Sequence, residues 1–290
     1  ADISAEKCKA LAEAGPFEEL NALDGEGFSA IVKKYNIDTI FNLVALLSAT
    51  GEKNPKLAWD INIGALTNSL YIAKDNNCAV FTPSSIGAFG NDTPKDKTPQ
   101  DTLQRSNTTI YGVCKVTGEL LSDYYFHRFG VDTRSVRFPG LISYVTLPGG
   151  GTTDYAVEIY YDAIRRGAFT CNVKAGTYMD MMYMPDALNA VVQLMEADPS
   201  RLKHRNSFNI AAMSFEPGQI AAEIRKHLPD FKMDYQIDPV KQAIADSWPN
   251  SMDDSCAREE WGWKPEYNLQ NMTVDMLVKV KEKFDKGLIK

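Results

Sequence analysis

The stretch Asp38-Thr-Ile-Phe-Asn-Leu-Val-Ala45 is almost continuously apolar and shows no alternation of inward and outward residues. Such a run reads as a strand covered on both faces, and crossover helices over a parallel sheet supply that cover. Phe17–Leu20, Ala79–Ser84, Thr133–Arg137, Tyr178–Tyr183 and Ser207–Ala211 read as further strands. Helical segments separate them at Gly25–Tyr35, Pro55–Ala73, Tyr111–Arg128, Thr153–Arg166 and Asp186–Met195. In the first of these Phe28, Ile31 and Val32 share one side. The alternation predicts an α/β fold with a doubly wound parallel sheet.

Other segments leave that pattern. Ala5–Ala14 reads as a short opening helix, and Asn91–Thr109, polar and rich in Pro, Asp and Lys, as a surface loop. From Ser143 to Ala175 the alternation is interrupted by a glycine loop. The segments Glu216–His227, Lys232–Ile237, Val240–Asp246, Met252–Trp261 and the helix Val274–Lys286 read as a small C-terminal lobe. The division expected is residues 1–143 plus about 181–213 for the parallel-sheet domain, and about 144–180 plus 214–290 for the lobe.

Composition removes several classes of function. A net charge of −7 argues against nucleic acid or an anionic membrane as partner. No apolar run reaches the roughly 20 residues of a transmembrane helix. The five cysteines are scattered and odd in number, which favours a reducing compartment. His127, His204 and His227 lie far apart in sequence and far from any cysteine pair, so each reads as a surface or helix-end residue. No metal site, and no zinc-dependent alcohol chemistry, is expected.

The chemistry concentrates between Ser84 and Lys115. Tyr111 and Lys115 stand four apart on a predicted helix and share one face. An ammonium that close favours the phenolate, which can take a proton from an alcohol or return one to a ketone. Ser85 stands where the strand Ala79–Ser84 runs out, placed to hold the reacting oxygen. The pair alone also suits a packed tyrosine beside a solvated lysine; the strand end and the α/β context favour the site.

Ser84-Ser85 with Phe89-Gly90, then Tyr111 and Lys115, then Arg137-Phe138-Pro139-Gly140, resemble the extended short-chain dehydrogenase/reductases. Within these the chain is most similar to the epimerase-like, NAD-dependent L-threonine 3-dehydrogenases. The specific matches are Leu147-Pro148-Gly149-Gly150-Gly151-Thr152-Thr153-Asp154-Tyr155-Ala156, and Ser247-Trp248-Pro249 with Asp253-Asp254-Ser255-Cys256-Ala257-Arg258. The likeness runs from Asp2 to about Leu269.

The resemblance implies a Rossmann-like doubly wound sheet with a small C-terminal substrate-binding lobe, and NAD as cofactor. A dinucleotide fold needs a glycine-rich turn and, about 20 residues on, an acidic residue for the ribose. No G-x-G-x-x-G occurs, and Asp2 is taken as that acidic residue, at the end of a second strand. A helix cap is the alternative for a lone aspartate there. The expectation is that roughly 30 residues, holding the glycine turn, precede Ala1. The cofactor is expected along Asp2 and Ile3, the turn Asn21-Ala22-Leu23, Leu43, Ala45, Asn62, Tyr111, Lys115, Phe138 and Leu141. Asn21 stands where relatives often carry aspartate, and Asn62 is expected to brace the neighbouring strand.

The resemblance also implies oxidation of L-threonine to 2-amino-3-oxobutanoate, with Tyr111 as general base, Lys115 beside it and Ser85 on the substrate oxygen. The N–H groups of Gly149-Gly150-Gly151 are expected to face the substrate carboxylate. Ser48, Thr152 and Thr153 would add hydroxyls, and of the two threonines Thr153 is the one expected to touch substrate. Trp248 either closes the pocket or packs the lobe. A homodimer pairing through Pro55–Ala73 and Tyr111–Arg128 is expected, with Val116, Leu120 and Tyr124 forming an apolar stripe on the latter. Relatives work in the mitochondrial matrix if eukaryotic and in the cytoplasm if bacterial. Two rivals share the fold: a nucleotide-sugar epimerase or dehydratase, and a non-catalytic NAD sensor. Phe138-Pro139-Gly140 after Arg137 argues against the first, and the intact Tyr111/Lys115 pair against the second.

Overall fold

The computed structural model describes residues 1–4, 6, 15–104 and 106–289. The helix expected over Ala5–Ala14 lies outside them apart from Glu6. The elements in order are α1 (Gly25–Lys34), β1 (Thr39–Phe41), α2 (Ser48–Gly51), α3 (Pro55–Asn76), β2 (Ala79–Phe81), β3 (Ser84–Ser85) and α4 (Ile110–Phe129). They continue with β4 (Thr133–Phe138), β5 (Gly140–Ile142), α5 (Tyr155–Arg166), β6 (Ala168–Cys171), β7 (Met179–Tyr183), α6 (Met184–Glu196) and β8 (Asn206–Asn209). The last are β9 (Met213–Phe215), α7 (Pro217–Arg225), β10 (Lys232–Tyr235), α8 (Pro239–Ser247), α9 (Ser255–Trp261) and α10 (Leu269–Asp285).

The main sheet is parallel throughout, as the unbroken apolar runs predict. β1 lies beside β2, β2 beside β4, and β3 and β8 also pair with β4. Pro83 separates β2 from β3, since proline has no N–H to give the ladder. The helix ends follow local chemistry. The Asn54 side chain caps α3 ahead of Pro55, and Thr109 caps α4 by accepting from the Gly112 N–H. Gly130, at φ 72°, closes α4 in the left-handed region. Behind the sheet, Val32, Ile40, Leu66, Leu70, Val80 and Tyr125 form one core, and Phe81, Val136, Phe208, Trp261 and Trp263 belong to another. A third gathers Tyr155, Tyr160 and Tyr161 with Ile220, Ile224, Met272 and Met276, around the smaller sheet β5-β7-β9. β6 and β10 form a separate parallel pair.

Two expectations need correction and a third needs refining. The run Asp38–Ala45 is strand only over Thr39–Phe41, and Phe41, Leu43 and Val44 are exposed. Among the described residues β1 pairs on one side only. The strand expected over Phe17–Leu20 reduces to one parallel bridge, Asp2 with Glu19, in which the Leu20 N–H donates to the Asp2 carbonyl (2.9 Å). Finally, the described residues of Asn91–Thr109 are mostly exposed, as a surface loop should be, but the stretch is anchored, for Thr98, Gln100 and Ser106 are buried. The Gln100 amide donates to the Ser207 carbonyl (2.7 Å) and accepts from the Asn209 N–H (2.8 Å). The segment thus supplies the hydrogen bonds that β8 lacks from a neighbouring strand.

Candidate active site

β3 delivers Ser85 to the mouth of the sheet, and the chain then turns tightly through Ile86–Ala88. The Ser85 hydroxyl accepts from the Gly87 N–H (3.0 Å), which orients it. Gly87 is the point where serine and tyrosine meet: a Cβ there would lie 3.2 Å from the Tyr111 ring and 3.4 Å from Ser85 Oγ. Gly112 allows this approach. A Cβ on it would collide with the Gly87 carbonyl oxygen and with Ser106 Oγ, so α4 docks on the turn only with glycine here. Lys115 Nζ donates to the Pro83 carbonyl and lies 5.3 Å from the centroid of the Tyr111 ring. The three residues predicted to carry the chemistry are therefore brought together, with Tyr111 and Lys115 half-buried. Burial pushes the neighbouring Cys114 thiol up, which removes it as a nucleophile.

Behind Ser85 stands a buried network that the sequence did not reveal. The Ser84 hydroxyl donates to Glu119, whose carboxylate also accepts from Arg137 Nε (3.0 Å) and Nη2 (2.9 Å). Arg137 Nη1 reaches the Gln100 carbonyl (2.9 Å) and Asn209 Oδ1 (3.1 Å), and Gln104 donates to Glu119 from the far side (2.5 Å). Glu119 lies on the buried face of α4, two turns on from Tyr111, a spacing that would have marked it.

The expected cofactor strip is held by one helix. Asn62 of α3 accepts from the Leu46 N–H (2.7 Å) and donates to the Leu46 carbonyl (3.2 Å). Its amide is engaged both ways, so it braces the segment leaving β1, as the family likeness implied. Asn68 of the same helix, not singled out from sequence, donates to the Ala22 carbonyl (2.8 Å) and fixes the turn Asn21-Ala22-Leu23. Asn21 Oδ1 accepts from the Leu23 N–H (3.0 Å) and keeps one lone pair for another donor. The Asp2 carboxylate accepts from the Ser4 N–H (3.0 Å) and is otherwise exposed, as is Ile3. A cavity at the carboxyl ends of β1 and β2 is bounded by Val44, Ala45, Asn62, Pro83, Ser84 and Lys115. Exposed apolar Leu43 and Val44, a polar brace and a lysine at this end of a parallel sheet fit a dinucleotide such as NAD. Phe138 pairs in register with Ser85, and Leu141 with Met182, so both strand ends border the same region.

The glycine loop departs from expectation. The N–H groups of Gly150 (2.8 Å) and Gly151 (2.6 Å) both donate to the carboxylate of Asp154. The nest does hold a carboxylate, but the chain's own, and these two donors do not face a substrate. The loop is seated next to Ser48, which is buried: Gly149 approaches Leu47, and Gly150 approaches Thr50. α2 in turn touches α4, since a Cβ on Gly51 would lie 3.5 Å from Ile110. Thr152 is buried and its hydroxyl has no partner, while Thr153 packs its methyl group against Gly140. Trp248 is buried with Ile86, Phe89, Ile244 and Met252 and is a packing residue.

Of the histidines, His204 is no surface residue: it is half-buried and bonded to Glu260. Among the described residues, the one group of side chains able to share a metal ion is His204, Cys256 and Glu260, none of which borders the Ser85–Tyr111 site. No described helix is long and apolar enough to cross a membrane.

Comparison with known proteins agrees with this geometry. The chain is similar to an L-threonine dehydrogenase structure from Clostridium difficile, at 56% identity and TM-score 0.94 over 97% of this chain and 88% of that one. It is similar to an L-threonine dehydrogenase from Phytophthora infestans, at 46% identity and TM-score 0.92 over 95% and 89%. A protein of Staphylococcus haemolyticus named as an uncharacterized epimerase/dehydratase is 59% identical over 93% of this chain and 84% of its own length. Residues 2–211 match the NAD dependent epimerase/dehydratase family. With a parallel sheet, a serine and a tyrosine meeting at its carboxyl edge and relatives of this closeness, the chain belongs to the NAD-dependent epimerase/dehydratase family.

Proposed function

We propose that this NAD-dependent oxidoreductase oxidises L-threonine at its secondary alcohol to 2-amino-3-oxobutanoate. The observation that carries the reading is the meeting of Ser85 and Tyr111 over Gly87, with Lys115 anchored beside the tyrosine ring. The dehydrogenase names of the solved relatives support the choice of substrate. In this reading the Ser85 hydroxyl holds the substrate oxygen, and Tyr111 removes its proton. Lys115 stabilises the negative charge on the phenolate and carries a hydrogen bond to the cofactor ribose. NAD⁺, when bound, accepts the hydride released by the carbinol carbon. Asp2 and Ile3, Asn21-Ala22-Leu23, Leu43, Ala45, Phe138 and Leu141 would hold it, with Asn62 acting through Leu46. The Asp2 charge favours NAD over a cofactor with a 2′-phosphate.

With Gly150 and Gly151 engaged by Asp154, the substrate's carboxylate and ammonium fall to side-chain hydroxyls. The unpartnered, buried Thr152 hydroxyl supports Thr152 over Thr153, with Ser48 alongside. The substrate lobe comprises about residues 144–180 and 214–290, set against 1–143 and 181–213. A homodimer completes the proposal: Leu120 (63% exposed) and Tyr124 (54%) of α4, with Leu57, Trp59 and Tyr71 of α3, leave apolar surface uncovered. The staphylococcal and clostridial relatives support the cytoplasmic arm of the compartment expectation.

The test pairs substrate with mutation. NAD⁺ reduction should follow addition of L-threonine and not of a UDP-hexose. Tyr111→Phe should cut kcat by roughly 10²–10⁴ while leaving NAD affinity nearly unchanged. Near-normal turnover in Tyr111→Phe would remove the named base, and activity on the UDP-hexose alone would favour the epimerase.

A further inference from the structure

We infer that His204, Cys256 and Glu260 form a binding site for a divalent cation of the zinc class, which staples α9 and the 98–104 segment onto β8. Three segments far apart in sequence converge here. Cys256 and Glu260 stand one turn apart on α9 and present to the same side. His204 enters from the turn preceding β8. One ligand atom from each lies within 4.8 Å of the others. In a tetrahedral zinc shell, bond lengths of about 2.0–2.3 Å separate neighbouring ligand atoms by roughly 3.5 Å, so small side-chain shifts close the shell.

The hydrogen bonding of His204 points the same way. Its Nδ1 meets Glu260 Oε1, and Oε2 of that carboxylate accepts from the backbone N–H groups of Lys203 (2.6 Å) and His204 (3.2 Å). An imidazole that donates from Nε2 to Asp101 Oδ2 (3.3 Å) turns its Nδ1 lone pair towards Glu260 Oε1. Two acceptors in contact repel unless a proton or a cation joins them. The mixture of sulfur, imidazole nitrogen and carboxylate suits zinc rather than magnesium or calcium. A water would fill the remaining position, and Asp101, largely exposed, would orient the ring from its Nε2 side.

The site differs from the alcohol chemistry in place and in kind. Asp101 follows Gln100, whose side chain holds β8 and whose carbonyl receives Arg137. A cation would therefore act as a structural tie behind β4, touching neither substrate nor NAD.

Chelator-treated full-length protein should bind a single Zn²⁺ per chain by calorimetry, with proton release and a rise in Tm. Co²⁺ should give a near-ultraviolet thiolate-to-metal absorption band. Cys256→Ser should abolish that band and weaken Zn²⁺ by more than about tenfold, as should His204→Gln, whereas His227→Gln should change neither. A wild-type protein with no cobalt–thiolate band, or a band that survives Cys256→Ser, overturns the site. Zinc binding without any rise in Tm overturns the structural role.

Discussion

Replacing Arg137 by methionine tests what holds the serine strand in place. Methionine keeps much of the apolar stem, including its contact with the Phe89 ring, and removes only the charge and five donors. Both partners are 5% exposed, so Glu119 would stay buried without its ion-pair partner and without the two hydrogen bonds that Arg137 supplied. Breaking a buried ion pair from one side costs about 3–5 kcal/mol. At about 2–4 °C per kcal/mol for a chain of this order of size, Tm should fall by roughly 10 °C in a thermal melt followed by circular dichroism. The double variant Glu119→Leu with Arg137→Met should recover most of that loss, because no charge is stranded. Activity reports separately. Ser84 donates to Glu119, so a displaced carboxylate lets β3 drift, and kcat should fall about tenfold at a temperature where the variant is folded. A loss of under about 1 kcal/mol in Arg137→Met, with the double variant no better, would refute the claim that the two form a buried ion pair in which each charge compensates the other.

Three further outcomes follow from single observations. Burial pushes the Asp180 carboxyl up to about 8 from 3.8, despite the N–H bond it accepts from Met252 (2.9 Å). Its contribution to stability is full below about pH 4 and is lost as pH rises towards 8; Asp180→Asn should flatten that limb of a urea-midpoint profile, and an unchanged limb would assign it elsewhere. Asp154→Ala frees the Gly150 and Gly151 N–H groups and unseats the loop beside Ser48. KM for L-threonine should rise several-fold with kcat little changed, and a lowered KM would mean that Asp154 competes with the substrate carboxylate. Leu120→Glu with Tyr124→Glu should yield a monomer by light scattering where the parent is a dimer; a parent that is itself a monomer at micromolar concentration sinks the dimer.

The sequence was most informative where backbone and chemistry coincide. A short apolar run predicted β2, the alternation of strands with helices predicted β4, and the four-residue spacing of Tyr111 and Lys115 placed both on α4 beside Ser85. It was least informative where the decisive fact is a tertiary neighbour. Leu43 and Val44 look like core residues in one dimension, yet β1 pairs on one side only among the described residues. The polar stretch Asn91–Thr109 reads as solvent-facing and is mostly exposed, but the buried Gln100 within it is bonded to the backbone of β8. The glycine loop was read as a nest for the substrate carboxylate, and nothing in the sequence spacing shows that Asp154 turns back into it. The scattered His204, Cys256 and Glu260 converge only through the packing of α9.

α3 has a consequence for which changes in length this architecture tolerates. Asn62 and Asn68 hold Leu46 and the Ala22 carbonyl from different faces of one rigid rod, six residues or roughly 9 Å apart. One residue inserted or deleted between Asn62 and Asn68 would turn one face by about 100° relative to the other. One clamp would then have to open. The helix is thus a gauge with whole-residue divisions, and length variation that loops absorb freely should be excluded from this one-and-a-half-turn interval. Insertions in this fold belong before Asn54 or after Asn77, where the rod has already been measured off.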